Sequence, residues 1–175
     1  MNVLLVPGLG NSGPDHWLSH WEKALPAPRA ELGDWDDPCP GAWIGNLDAA
    51  IRDAGRDVIL VAHSLGCATV AHWAKTSGEP VRAALLVAPA DVDSDAHVPP
   101  PARRFGPMPM ERLPFPSIVV ASTNDPYADI GRSETFARAW GARFVNLGAL
   151  GHINADSALG SWPKGRALLQ ELARG

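Results

Sequence analysis

A serine, an aspartate and a histidine, each standing just past an apolar run, are the residues of this chain best suited to chemistry. The run Val58-Ile-Leu-Val-Ala-His leads into Ser64, and Leu-Gly-Cys-Ala follows, a pattern of buried strand, sharp turn and small-residue helix. Such a turn strains the serine backbone, exposes its hydroxyl at the sheet edge and leaves its own and the next amide near a helix N-terminus. The usual pattern is Gly-x-Ser-x-Gly; here Ala62 stands at the first position and Gly66 is kept. Serine is also a favoured helix N-cap, so the turn alone has a purely structural alternative. A serine hydroxyl is a weak nucleophile at neutral pH and needs a base with an orienting acid. Residues 118–121 lead to Ser122-Thr-Asn-Asp125-Pro-Tyr127, and residues 143–147 lead to Gly148-Ala-Leu-Gly151-His152. Where a serine sits on such a strand-to-helix elbow, its acid and base follow it in the order Asp, then His. Ser64 is expected as nucleophile, His152 as general base and Asp125 as the acid. Asp91, which also follows a strand end, ranks next as acid, ahead of Asp129, Asp93 and Asp95. His63 is expected on the opposite side of the turn from the hydroxyl, and His72 lies two turns into the following helix, so neither suits a base.

Acyl transfer also needs preorganised amides for the developing oxyanion. Leu65, directly after the serine, offers one. Pro7-Gly8-Leu9-Gly10, after the first apolar run, sits where the second is usually found, and Leu9 is expected to supply it. The same stretch, Gly8-Leu-Gly10-Asn-Ser-Gly13, also spells a dinucleotide fingerprint, with Glu31 and Asp34 about twenty residues on. Pro14 argues against it, because proline just past the third glycine suits a later helix start, one that Ser12 would cap.

The elements that must hold these residues are legible as short apolar runs at 3–6, 58–62, 83–87, 118–121 and 143–147, with a weaker one at 30–32. Continuous apolar runs mark strands covered on both faces. Between them, Trp17, Trp21 and Leu25 repeat at a spacing of four, as do Leu47 with Ile51 and Phe136 with Trp140, each set lining one helix face toward the core. Alternating strand and helix implies a mostly parallel α/β sheet with helices on both sides, folded as one domain over residues 1–175. Residues 89–116 hold eight of the 17 prolines and are expected as a long irregular loop with at most a short helical turn. It leaves the carboxyl edge of the sheet, where ligands bind in such folds, so it is either a partial cover over the site or a surface excursion. As a cover, it would offer Phe105, Met108 and Met110 to the substrate.

Composition narrows the rest. A net charge of -4 with scattered lysines and arginines gives no basis for nucleic-acid binding. The N-terminal apolar run breaks at Pro7, too short for a membrane span and without a basic leader, so a cytoplasmic location is expected and no membrane association. Cys39 and Cys67 lack the paired spacing of a zinc site and are expected as reduced thiols; neither metal nor organic cofactor is implied.

Taken together, Val6-Pro-Gly, His16-Trp17, Ala62-His-Ser64-Leu-Gly66, Val87-Ala-Pro89, Asn124-Asp125-Pro-Tyr127 and the stretch 148–154 resemble the small serine hydrolase family that includes retinoblastoma-binding protein nine. The resemblance runs over nearly the whole chain. It implies a compact α/β-hydrolase fold of about six strands without a large cap domain, and it gives Ser64, Asp125 and His152 the triad roles. His16 and Tyr127 are candidates for binding substrate, His16 otherwise packing beside Trp17. The expected reaction is hydrolysis of a small acyl substrate, a carboxylic ester first, with amide, peptide or thioester cleavage as alternatives on the same residues. A protein-interaction module is the alternative from another class; no protein partner is identifiable.

Overall fold

Each strand of the sheet sends alternate side chains into one of two separate cores, which is why its apolar residues run without interruption. A computed structural model describes residues 1–175. The strands are β1 (Asn2–Val6), β2 (Val58–His63), β3 (Ala83–Val87), β4 (Ser117–Ala121) and β5 (Arg143–Asn146). They form one sheet in the order β1-β2-β3-β4-β5, every neighbouring pair parallel. Leu4, Val6, Leu60, Ala62, Leu86 and Val119 join one core; Val3, Leu5, Ile59, Val61, Leu85 and Val120 join the other.

Helices cover both faces. On the first lie α2 (Pro40–Ala54), α3 (Leu65–Thr76) and α5 (Ile130–Trp140), which contribute Trp43, Leu47, Ile51, Val70, Trp73, Phe136 and Trp140. On the second lie α1 (Trp17–Ala24) and α6 (Pro163–Arg174), with Trp17, Leu18, Trp21 and Leu169. The tryptophans read as core at positions 17, 21 and 140 are each at most 1% exposed. No helix is long and apolar enough to cross a membrane.

Two expectations change, and one helix is added. The run at 30–32 does not become a sixth strand: Leu5 donates to the Pro28 carbonyl and accepts from Ala30, giving a single bridge at Arg29. Pro26 and Pro28 have no amide to extend the ladder backward, and Gly33, at φ 120°, turns the chain away after Leu32. Helix α1 is capped by His16, whose Nδ1 accepts from the Leu18 amide, and not by Ser12. Helix α6 went unread in the sequence, although Pro163 at its first turn and Leu168, Leu169 and Leu172 give a start signal and an apolar stripe.

The proline-rich stretch contains one short turn of helix, α4 (Pro100–Arg103). Far from being a loose excursion, it buries Val92, Val98, Ala102, Phe105, Met108, Leu113 and Phe115 into the first core. Arg132 ties its base by pairing with Asp91 and Asp93, and Asp93 in turn accepts from the Met108 amide.

Candidate active site

The turn between β2 and α3 places Ser64 at φ 56° and ψ −122°, a conformation L-residues avoid and a tight strand-to-helix reversal imposes. Its amide donates to the Val87 carbonyl of β3, which anchors the turn to the sheet (3.0 Å). Gly66 is required here: a Cβ at that position would lie 2.4 Å from the Val6 carbonyl oxygen and 2.6 Å from that of Pro7. Ala62 at the first small position is fully buried, so its extra methyl fits.

His152 and Asp125 reach this serine from the loops after β5 and β4. His152 Nε2 lies 2.8 Å from Ser64 Oγ. Its Nδ1 lies 2.9 Å from both carboxylate oxygens of Asp125, whose side chain is 4% exposed. With Nδ1–H donated to the carboxylate, the Nε2 lone pair faces the serine hydroxyl, which is a path for moving the hydroxyl proton onto the imidazole. The two loops are stitched together: Gly151 N–H donates to Asn124 Oδ1, Leu150 N–H to Ser122 Oγ and Thr123 N–H to the Gly148 carbonyl. Asp91, the rival acid, is instead paired with Arg132 at 3.1 Å, and Asp129 sits largely in solvent near His97.

The β1 loop packs directly on the turn. A Cβ on Gly8 would come within 2.9 Å of Ser64 Cβ and 3.1 Å of the Leu65 amide nitrogen, so only glycine allows this approach. Leu65 is the first residue of α3, so its amide has no preceding turn to bond, and the Leu9 N–H donates to no protein acceptor. No helix opens at Gly13, since α1 begins only at Trp17, and the Asp34 carboxylate is occupied by the amides of Asp36 and Asp37. The dinucleotide fingerprint therefore lacks the helix that gives it meaning.

A cavity of about 280 Å³ opens at Ser64. Leu9, Leu65, His16 and Tyr127 all line it. Phe105 and Met108 do not: they are 1% and 3% exposed, with Phe105 set edge-on to Trp43 at 5.5 Å. Burial in the core satisfies their apolar surface better than covering a solvent-filled cavity. The 91–113 segment instead contributes Val98, Pro99 and Ala102, joined by Ala90, and Asn11, Asn154 and Asp156 add polar groups to the lining. The sequence signal for the first group was their position beside the proline run at the carboxyl edge; nothing local marked Asn11 or Asn154.

His16 is 4% exposed, and burial, reinforced by the positive charge of a protonated His152 and of Arg29, lowers its pKa to about 4. His63, also buried, is pushed down in the same direction, chiefly by burial. A depressed imidazole stays neutral in the fold while the unfolded chain takes up a proton, so stability is lost as pH falls below the ordinary histidine value toward the folded one. The His16 shift alone corresponds to about 3 kcal/mol in full, of which about 2 kcal/mol is lost by pH 5. His97, raised by its contact with the Pro126 carbonyl, works in the opposite sense, but its exposure to solvent keeps that contribution small. Urea unfolding at pH 7 and pH 5 measures the net slope, and equal stabilities at the two pH values would contradict it.

Residues 3–171 match the family model described as serine hydrolase. Among solved structures, a YdeN-like hydrolase from Pectobacterium atrosepticum is 31% identical, with a TM-score of 0.87 over 99% of this chain and 90% of that one. The ydeN gene product of Bacillus subtilis, 19% identical, superposes with a TM-score of 0.79 over 99% and 98% of the two chains. Est1E from Butyrivibrio proteoclasticus, 14% identical, gives 0.74 over 98% and 88%. At the latter two identities the likeness is one of fold, an α/β-hydrolase sheet without a large cap. No curated protein matches the sequence. With the family model spanning nearly all of its length, the chain belongs to the serine hydrolase family.

Proposed function

We propose that this serine hydrolase cleaves small, uncharged carboxylic esters through an acyl-enzyme on Ser64. The observation that carries this reading is the continuous hydrogen-bonded line from Asp125 through His152 to Ser64 Oγ, 2.9 Å and 2.8 Å long at its two steps. In the first half-reaction Ser64 Oγ bonds to the ester carbonyl carbon as its proton passes to His152 Nε2. The C–O bond to the leaving alcohol then breaks, and that alcohol takes the proton from His152. In the second, water attacks the acyl carbon, its proton moves to His152 and on to Ser64, and the carboxylic acid leaves. Asp125 stabilises the imidazolium formed in each half and holds the ring orientation. The amides of Leu9 and Leu65 are the donors assigned to the oxyanion, worth about 3 kcal/mol each on the scale of measured cases.

The choice of an uncharged substrate rests on the lining. None of the residues around the cavity is a lysine or arginine, and Asp156 carries a carboxylate at its edge, so an acyl group bearing its own carboxylate meets no compensating charge. Apolar contact comes from Ala90, Val98, Pro99 and Ala102. A panel of acetate, butyrate and hexanoate esters beside a hemisuccinate, with matched anilides and thioesters, tests the assignment. Neutral esters are expected as the best substrates; preference for the anilide or thioester series would move the chain to amidase or thioesterase chemistry.

The same panel locates the acyl wall. Val98→Ala should raise kcat/KM for hexanoate relative to acetate about tenfold, the effect of one or two methylenes of pocket space. Phe105→Ala should leave that ratio unchanged while costing about 3–5 kcal/mol of stability, as expected for a buried aromatic. The reverse pattern would place the acyl wall on Phe105.

A further inference from the structure

His63, the last residue of β2, is 5% exposed and has no place in the proton path described above. Its Nε2 lies 2.9 Å from the backbone carbonyl oxygen of His152, 89 positions later. A carbonyl only accepts, so His63 must carry its proton on Nε2 and leave Nδ1 bare. The ring is clamped on both sides: its centroid is 4.8 Å from that of His152 and 4.7 Å from that of His16, the latter edge-on at 71°. His16 is itself fixed by accepting the Leu18 amide, and the neighbouring Trp17 donates its indole N–H to the Ile153 carbonyl at 2.7 Å. Two successive carbonyls of the 152–153 turn are therefore held by rings from β2 and α1, and Ile153 keeps the left-handed φ of 48° that such a turn needs.

Ser64 directly follows His63 in the chain, and β2 is locked in register between β1 and β3. A bond from His63 to the backbone of residue 152 thus links the frame of the serine to the frame of the histidine independently of the Oγ to Nε2 contact, which must break and re-form in each turnover. We propose that His63 is a positioning residue whose Nε2–H, seated on the His152 carbonyl, sets the distance between His152 and Ser64. This rests on the functional reading above, and His63 acts through His152 without taking part in proton transfer.

His63→Phe keeps a ring and removes the donor; His63→Gln restores an N–H at similar reach. Against the best neutral ester, His63→Phe should lose 10- to 100-fold in kcat with KM within about twofold, the scale of a small misplacement of reacting groups. His63→Gln should recover most of that loss. A kcat for His63→Phe within twofold of wild type, or a His63→Gln no better than His63→Phe, would overturn the proposal. Because the phenylalanine variant risks misfolding, the wild-type protein supplies a second measurement: nitrogen-15 NMR of the His63 ring should show the Nε2-protonated tautomer, and the Nδ1-protonated form would overturn it. Fluorophosphonate labelling separates the levels. A wild-type Ser64 that does not label removes the functional reading and this role together, whereas labelling as fast in His63→Phe as in wild type removes only the role of His63.

Discussion

Ser64→Ala should lower kcat for the best ester by about 10⁶-fold, the scale on which removal of a nucleophilic serine acts when base and acid remain. The loss is expected to fall on kcat, because the cavity walls and the two amides proposed for the oxyanion are untouched and substrate can still bind. The fold should persist. Alanine at φ 56° is no more strained than serine there, and the Ser64 amide keeps its bond to the Val87 carbonyl. Loss of the hydroxyl removes one side-chain contact, that to His152. Circular dichroism and the unfolding midpoint should therefore match wild type while turnover disappears. Residual activity within a hundredfold of wild type would mean that another group attacks the ester.

The second large effect is expected from Asp125→Asn, with a fall in kcat of order 10⁴, the value known for the corresponding change in a serine protease. An asparagine amide facing His152 Nδ1 presents its N–H, so the imidazole places its own proton on Nε2, where it confronts the serine hydroxyl instead of accepting from it. Little stability should be lost. The Tyr127 amide now donates to Asp125 Oδ1, and the retained oxygen of asparagine accepts it equally well. Asp91→Asn is the control. Its carboxylate pairs with Arg132 at the base of the 91–113 segment, so the substitution should weaken that anchor and lower the unfolding midpoint while kcat stays within a few-fold. If Asp91→Asn were the variant that abolished turnover and Asp125→Asn the mild one, the orienting acid would have been misassigned.

Why the sequence carried so much of this is visible in β2 and its turn. Val58 to Ala62 is buried on both faces, which leaves an uninterrupted apolar signature, and the sterics that make Gly66 obligatory leave small residues after the serine. Asp125 and His152 were findable because each follows a strand by a few residues, so chain order alone brings them to one sheet edge. The sixth strand failed because apolar content at 30–32 reports burial, and burial there comes from packing beneath α2, not from a ladder that Pro26 and Pro28 interrupt. Phe105 and Met108 failed for a related reason: a proline-rich stretch reads as surface, yet enough apolar residues lie along it to fold back into the core. Val98 and Ala102, less conspicuous, became the cavity wall. The contact of His63 with residue 152 depends on how two loops fold around one another, which no local spacing encodes.

Labelling with a fluorophosphonate at neutral pH, followed by peptide mass spectrometry, tests the central claim most directly, because only an activated hydroxyl reacts quickly with such a probe. The expected result is a single modified residue, Ser64, with labelling lost in His152→Ala. An unmodified Ser64 under conditions that label a known serine hydrolase, or adduct on a different residue, would contradict the assignment of Ser64 as nucleophile.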